Sequence, residues 1–294
     1  MATDLISRRY RLQHATRYHY EQPVLHSFNV TCLKPRQTAW QHVHWTALQT
    51  EPALAHHVSF VDAFGNERQL LHVPQAHTEF AVTLNAELTV TARHSEQWLG
   101  QTCTLEVLQQ LSSHTEPWLA WCRRASPLVP LLPEAAAIWR RVAVAQGDVL
   151  QNIQRLNHWI FNEFAYVPAA TSISTPLVQV LQQRQGVCQD FAHLAIAVLR
   201  SQGIAARYVS GYLETLAPAG QEKLQGADAS HAWFEVFVPP LGWVGFDPTN
   251  DLMPDVRHLQ LAVGRDFSDV TPLKGVVQGR GEHQLQVAVD VLAL

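Results

Sequence analysis

The spacing of apolar residues changes along this chain, and that change constrains the fold more than any single motif. From Tyr10 to about Arg93, apolar and polar residues roughly alternate in short runs such as YRLQHATRYHY and FAVTLNAELTVTA. A period of two is typical of strands that bury one face. Turn residues separate the runs, as in Asp62-Ala-Phe-Gly65-Asn66, where a glycine is free to take a positive φ. The first part of the chain is therefore predicted to be an all-β domain of the sandwich type.

Beyond about Gln97 the spacing becomes helical. The segment GDVLQNIQRLNHWIFNEFAY places apolar residues on one stripe, and Asp148 and Gln151 have the spacing of a helix N-terminal cap. A further helix is predicted to begin at Thr175-Pro176 and to end before Gly186, because proline suits a first helical turn and glycine follows helix ends. The stripe of the earlier helix comprises Val149, Ile153, Leu156, Ile160 and Phe164.

From Ala206 the chain returns to strand-like runs, namely ARYVSGYLE, HAWFEVFV, GWVGFDP and HQLQVAVDVLAL. Helices followed by a sheet indicate an α+β domain. A chain of 294 residues also exceeds one typical domain of about 100–150 residues. We therefore predict two domains, a β-rich N-terminal domain over residues 1–97 and an α+β domain over residues 98–294.

Composition excludes several classes of partner. The formal net charge is −4 without long runs of one sign, so the chain lacks the basic face that nucleic acid or an anionic membrane requires. The first ten residues, MATDLISRRY, lack the apolar core of a signal peptide, and no apolar run approaches the ~18–20 residues that span a bilayer. We expect a cytoplasmic protein with no nucleic-acid and no membrane partner, and the sequence leaves its oligomeric state open.

One cysteine stands at the start of an apolar helix. If the helix in GVCQDFAHLAIAVLRSQG begins at Cys188, the thiol lies at a helix N-terminus, which favours an anion and offers unpaired N–H groups to an oxyanion. A lone cysteine is more often a small core residue, so its role depends on what reaches it. The other cysteines form no CxxC pair and no disulfide framework, and they are Cys32, Cys103 and Cys122.

A thiolate nucleophile needs a base within hydrogen-bonding reach. His193 is nearest in sequence, but five residues of helix place it roughly 140° around the axis from Cys188, so we predict a packing role for His193. His231 and Asp247 are separated by 16 positions, an even number, and can therefore lie on one face of two antiparallel strands. Asp247, held extended by Pro248, can then orient one nitrogen of His231 and leave the other for Cys188.

The hairpin that carries these two residues is predicted to turn near Pro239. That register places Trp233 opposite Gly245 and Glu235 opposite Trp243. The two tryptophans are candidate substrate-binding residues, because aromatic side chains commonly line apolar clefts.

The stretches GVCQDFAHLAIAVLRSQGIAARYVSGY and SHAWFEVFVPPLGWVGFDPTN resemble the core of the bacterial transglutaminase-like superfamily, whose relatives include animal transglutaminases and papain-type cysteine peptidases. YRLQHATRYHYEQPVLHSFNVTCLKPR, DAFGN and AVGRDFSDVTPLKG resemble the flanking segments of one bacterial subfamily. The resemblance implies a β-sandwich-like N-terminal domain followed by a core of helices packed on an antiparallel sheet.

The resemblance also implies residue roles. Cys188 corresponds to the nucleophile, His231 to the general base and acid, and Asp247 to the residue that orients His231. The oxyanion donors it implies are the backbone N–H of Cys188 and, by analogy with papain-type enzymes, Gln182, which lies six residues before the cysteine.

Three classes of function remain open. The leading one is a cysteine hydrolase that cleaves an amide or peptide bond through an acyl-enzyme on Cys188, without a cofactor; the related alternative is a transglutaminase that passes the acyl group to an amine. A second class is a non-catalytic peptide-binding module, which retention of all three triad residues disfavours. A third is a metal site built from Cys188, His193 and His231, which the divergence of the first two side chains disfavours.

Overall fold

The first part of the chain forms two antiparallel sheets in the computed structural model, which describes residues 6–93, 98–100, 103–111, 117–215 and 230–294. Their strand orders are β14-β1-β6-β3 and β13-β2-β5-β4. Alternate residues of the first strand are buried, starting with Tyr10 and Leu12, as a period of two requires. The strands are β1 (Ser7–Val24), β2 (His26–Thr31), β3 (Gln41–Glu51), β4 (His56–Val61), β5 (Glu67–Val73), β6 (His77–Thr91), β13 (Leu273–Gln278) and β14 (His283–Ala293).

The turn at Asp62–Asn66 has the predicted chemistry. Gly65 has a φ of 76°, a conformation that favours glycine. The Asp62 carboxylate accepts hydrogen bonds from the backbone N–H groups of Phe64 and Asn66, each at 2.9 Å. The side chain therefore closes the turn between β4 and β5.

The last two strands correct the predicted domain boundary. β14 pairs along β1, from Tyr10 opposite Ala293 to Tyr20 opposite His283, and β13 pairs with β2. The N-terminal sheets are thus completed by the end of the chain, and residues 98–294 do not form one separate domain. Alternation in HQLQVAVDVLAL identifies a strand, but it carries no information about which distant strand is its partner.

Six helices lie in the described part of the chain between the two sets of strands. The predicted cap at Asp148 is present, because its side chain accepts a hydrogen bond from the backbone N–H of Gln151 at 3.0 Å. The helix predicted from Thr175-Pro176 begins one residue after Pro176 and ends where Arg184 takes a φ of 52°. The helices are α1 (Leu105–Gln110), α2 (Pro117–Arg123), α3 (Pro133–Val142), α4 (Val149–Glu163), α5 (Leu177–Gln183) and α6 (Cys188–Ser201).

A third four-stranded antiparallel sheet, of order β11-β10-β9-β12, packs against α6. Side chains such as Phe234 and Val236 share one buried core with the apolar residues of α6. A two-stranded parallel ladder of β7 (Ala165–Tyr166) and β8 (Gln185–Gly186) leads directly into the first turn of α6. The four strands of the sheet are β9 (Ala206–Leu213), β10 (Ser230–Val238), β11 (Gly242–Phe246) and β12 (His258–Gly264).

Two amide side chains from the first domain cover the outer edge of β12. Gln41 accepts from the backbone N–H of Gln260 at 2.8 Å and donates to its carbonyl at 2.7 Å. Asn66 pairs in the same way with the N–H and carbonyl of Val263, at 2.9 and 2.7 Å. These amides supply the hydrogen bonds that a neighbouring strand would otherwise make, so the two parts of the molecule are joined at this edge.

Among the helices of the described ranges, none is both long and apolar enough to cross a membrane. The cytoplasmic location inferred from the sequence stays a prediction.

Candidate active site

Cys188 is the first residue of α6 and is half-buried. The adjoining backbone is held by Asp190, whose carboxylate accepts from the N–H of Val187 at 2.8 Å and from the hydroxyl of Thr171 at 2.6 Å. A Cβ atom at Gly186 would lie 2.7 Å from that carboxylate, so only glycine permits this close approach. The glycine in front of the cysteine therefore serves the cap of the helix that presents the thiol.

His231, near the start of β10, connects the cysteine to an acid. Its Nε2 lies 2.7 Å from Oδ2 of Asp247, which leaves Nδ1 available to the Cys188 thiol. Burial lowers the pKa of His231, but the bonded Asp247 carboxylate and the nearby Cys188 thiol outweigh it and raise the pKa to about 10. The three residues proposed from the sequence are thus brought together as thiol, imidazole and carboxylate.

Asp247 is completely buried, directly after β11. Its Oδ2 also accepts from Nδ2 of Asn250 at 2.7 Å and from Nε2 of His258 at 3.1 Å. Its Oδ1 accepts from the backbone N–H of Thr249 at 2.9 Å. Burial raises the pKa of Asp247, but the hydrogen bonds from the two imidazoles outweigh it and hold the pKa well below its usual range. The carboxylate therefore stays ionised without water around it.

The register of the β10–β11 hairpin corrects the prediction. Val238 lies opposite Gly242 and Glu235 lies opposite Gly245, so the hairpin is centred one residue later than Pro239. The cause is a three-residue loop that closes on Gly242 at a φ of 80°. His231 and Asp247 keep their shared face because the shift preserves the parity of both strands.

Neither tryptophan proposed as substrate-binding lines a cleft at the triad. Trp233 is completely buried, and its ring presses on Gly211, where a Cβ atom would lie 2.5 Å from the indole. Trp243 lies directly opposite Phe237 in the β10–β11 pair. Phe237 is six residues from His231, so Trp243 is roughly 20 Å from His231 along β10. Arg207 stacks 4.0 Å above the ring of Trp243. Both indoles therefore have packing roles away from a substrate.

Gln182 and His193 also lie apart from the triad. Gln182 is exposed and lines a cavity of about 320 Å³ together with Arg141 and Trp159, and the lining includes no triad residue. Nothing in these surroundings supports the oxyanion role inferred for Gln182. His193 is buried, and its Nε2 accepts from the backbone N–H of Phe267 at 3.1 Å. This is the packing role expected for His193, and burial lowers its pKa to about 4.

Two residues of the site were missed from the sequence, His258 and Asn250. Both donate to Asp247, yet neither lies in a pattern that separates it from an ordinary loop or strand residue. His258 is the first residue of β12. It lies opposite Leu213 of β9. Its approach to Asp247 depends on that strand pairing, which hydrophobic spacing does not encode.

A metal ion is not needed to explain the cluster. The ligand atoms of His231, Asp247 and His258 all lie within 4.8 Å of one another, and two hydrogen bonds between them account for this proximity. His193 is engaged with Phe267, so the combination of Cys188, His193 and His231 does not form a single ligand set.

Comparison with known proteins places this geometry in context. A family model described as the transglutaminase-like superfamily matches residues 136–248, and one described as the bacterial transglutaminase-like N-terminal region matches residues 10–90. An uncharacterized protein of Mycobacterium tuberculosis is 34% identical over 294 residues, which cover 97% of this chain and 92% of that protein. A protein-glutamine gamma-glutamyltransferase of Pseudomonas aeruginosa is 37% identical over 116 residues, which cover 38% of this chain and 17% of that enzyme.

Among solved structures, a candidate cysteine protease from Cytophaga hutchinsonii has the same fold. The TM-score is 0.77 at 22% sequence identity, and the match covers 98% of this chain and 91% of the other. The likeness therefore extends over both the β-rich part and the helix-and-sheet core.

Proposed function

This chain belongs to the transglutaminase-like superfamily, and on that premise we propose that it is a cysteine hydrolase that cleaves an amide or peptide bond. One observation carries the proposal: the imidazole of His231 is bonded through Nε2 to a buried carboxylate, and the Cys188 thiol lies near enough to raise the pKa of the same ring. Nucleophile, base and orienting group in this order are the elements of covalent acyl transfer.

Acylation follows from the positions of these atoms. The Cys188 sulfur attacks the carbonyl carbon of a peptide or amide substrate, and the thiol proton is held on Nδ1 of His231. Collapse of the tetrahedral intermediate breaks the carbon–nitrogen bond, and the Nδ1 proton passes to the departing amine. The products of this half-reaction are a free amine and a thioester on Cys188.

The first turn of α6 would stabilise the charge on the carbonyl oxygen. The backbone N–H of Cys188 stands at the start of the helix, where no preceding turn supplies a carbonyl acceptor. An N–H in this position can donate to the oxyanion, and the helix dipole adds to its effect. In the second half-reaction water attacks the thioester, His231 accepts a proton from the water, and the carbon–sulfur bond breaks to release the acid.

The proposal predicts a covalent intermediate that can be weighed. Intact-mass spectrometry of the protein mixed with activated peptide amides should detect an acyl adduct, and peptide mapping should place it on Cys188. Cys188→Ser should abolish both the adduct and amine release. Cys103→Ser is the matched control, because Cys103 is also a half-buried free thiol, and it should leave both unchanged. Amine release by Cys188→Ser at the wild-type rate would refute the proposal.

Acyl transfer to an amine is the second candidate, favoured by the 37% identity to the gamma-glutamyltransferase segment. Both reactions share the thioester, so the fate of the acyl group separates them. Water at about 55 M outcompetes a millimolar amine unless the protein positions that amine and raises its effective concentration. We expect free acid as the main product when lysine-like amines are added. Saturable capture of most of the acyl group at low millimolar amine would establish the transferase instead.

A further inference from the structure

His258 is a buried histidine that the proposed reaction does not use. Its side chain is fully shielded from solvent, and its Nε2 lies 3.1 Å from Oδ2 of Asp247. That same oxygen accepts from Nε2 of His231 at 2.7 Å. Two imidazoles therefore converge on one carboxylate oxygen, one from β10 and one from β12.

The surroundings of the other nitrogen place a proton on Nε2 of His258. Nδ1 lies 3.3 Å from the backbone N–H of Asp255 and 3.2 Å from its carboxylate. With Nδ1 accepting from the N–H, the ring is neutral and its proton is on Nε2; with Nδ1 donating to the carboxylate, the ring is an imidazolium that also carries a proton on Nε2. In both forms Nε2–H donates to Asp247. A neutral ring with its proton on Nδ1 would instead place the Nε2 lone pair next to the carboxylate oxygen, and the two would repel each other.

The His258 ring is also braced sterically. The indole of Trp233 meets it edge to face, with ring centroids 5.4 Å apart and planes at 84°. Trp233 is itself completely buried against Gly211. A rotation of the His258 ring would require displacement of a tightly packed tryptophan. The indole that was proposed for substrate contact thus packs against the histidine that donates to the triad acid.

We infer that His258 is a positioning residue that fixes Asp247 for its bond to His231, an inference that rests on the proposed function for its catalytic meaning. The other donors to Asp247, the Asn250 amide and the backbone N–H of Thr249, belong to the segment directly after Asp247, so they fix the carboxylate only relative to its own loop. His258 adds a donor that is anchored on a different strand and braced by Trp233, so the position of the carboxylate no longer depends on that loop alone. Asp247 then holds the proton of His231 on Nε2 and keeps Nδ1 free for Cys188.

In the described part of the chain, the titratable groups in contact with His258 come from the hairpin and from the preceding loop. Asp247 and His231 face it from the hairpin, and Asp255 faces it from the preceding loop. Arg257 lies 3.6 Å from the Asp255 carboxylate. A variant at position 258 is therefore expected to act on the site chiefly through Asp247.

The test compares His258→Met, which fills similar space without a donor, with His258→Gln, which keeps an amide donor of similar reach. ¹⁵N NMR of imidazole nitrogens should show the Nε2 proton of His231 protected in wild type and in His258→Gln. In His258→Met that signal should broaden or exchange with solvent, and kcat should fall by about 10–100-fold, as for other outer partners that orient a reacting group, with little change in KM.

A second buried histidine supplies the control. His14 is bonded to Tyr212 and Thr16, at 2.8 and 3.0 Å, and lies outside the site. His14→Met should cost stability without altering the His231 signal or kcat. If His258→Met does not fold, Trp233→Phe is tested in its place. The Nε2 proton signal of His231 should then broaden or exchange with solvent in Trp233→Phe.

The readouts separate this inference from the proposed function. An unchanged His231 signal together with an unchanged kcat in His258→Met would overturn the inference, and so would equal losses in His258→Gln and His258→Met. If the His231 proton signal broadens in His258→Met but the wild-type protein has no amidase activity, the positioning role is upheld and the hydrolase is refuted.

Discussion

Two buried carboxylates lie on the same sheet in similar settings, but they have partners of different kinds. Glu235 accepts from Nε and Nη2 of Arg207 at 2.8 and 2.6 Å and pairs with Arg93 at 3.3 Å. Asp247 accepts instead from the imidazoles of His231 and His258. A guanidinium keeps its proton in proteins, whereas an imidazole gains or loses one near neutral pH. The Glu235 cluster can therefore only hold the fold, while the Asp247 cluster can also move protons.

The two clusters share one energetic feature. Burial raises the pKa of Glu235, and Arg207 and Arg93 outweigh this and lower it, just as the imidazoles do for Asp247. Each carboxylate is therefore ionised in the interior only because its partners remain in place. Removal of a partner should damage both clusters, but the quantity that changes should differ.

The largest expected effect is on catalysis at the Asp247 cluster. Asp247→Asn keeps the shape of the side chain but lets His231 adopt the wrong tautomer, and we expect kcat/KM to fall by about 10⁴-fold, as for similar triads. The melting temperature should change far less than in a variant of the Glu235 cluster. Steady-state kinetics with a peptide amide, paired with a thermal melt, makes the measurement. An activity loss below tenfold would contradict the orienting role of Asp247.

The next effect is on stability at the Glu235 cluster. Glu235→Gln leaves the buried Arg93 and the half-buried Arg207 without their carboxylate, so the free energy of unfolding should fall by about 3–5 kcal/mol. Urea denaturation measures this change. Alkylation of Cys188 in the folded variant should keep its wild-type rate. A stable variant with an unreactive Cys188 would show that the two clusters are not separable.

A smaller effect concerns the pH dependence of stability. The pKa of His231 is raised to about 10, above its unfolded value of about 6.5, so its contribution is complete below about pH 6.5 and is lost as pH rises toward 10. The pKa of His14 is lowered by burial to about 4, so its contribution is present above about pH 6.5 and is lost as pH falls toward 4. His231→Gln should flatten the alkaline decline of the unfolding free energy. His14→Met should flatten the decline of the unfolding free energy at acid pH. If His231→Gln changed only the acid side and His14→Met only the alkaline side, the stated directions of both pKa shifts would be wrong.

The sequence predicted the elements that depend on local chemistry. The cap of α4 at Asp148 and the start of α6 at Cys188 follow from side chains within a few residues of each helix end. The meeting of His231 and Asp247 follows from strand parity, which tolerates the one-residue error in the position of the turn because that error shifts each pairing by two residues. These features needed no knowledge of distant contacts.

Features that depend on distant pairing were not predictable. β13 and β14 join strands more than 200 residues earlier in the chain, and alternation alone does not identify a partner. Trp233 was expected to line a cleft because it is an aromatic residue close to the triad in sequence. In the structure, Phe64 of the first domain covers one face of its sheet, and α6 covers the other. His258 was missed for the same reason, since only the pairing of β12 with β9 brings it to Asp247.

The rate of alkylation at each cysteine tests the central claim most directly, because it reports the nucleophile without knowledge of the substrate. Burial raises the pKa of Cys32 and of Cys122 to about 11 in each case, and it also raises the pKa of Cys103, so all three thiols should react slowly. Iodoacetamide near neutral pH, followed over time by peptide mass spectrometry, should label Cys188 well before the others, and His231→Gln should slow that labelling markedly. Equal labelling of all four cysteines in the folded protein, or a Cys188 rate that does not depend on His231, would contradict the account.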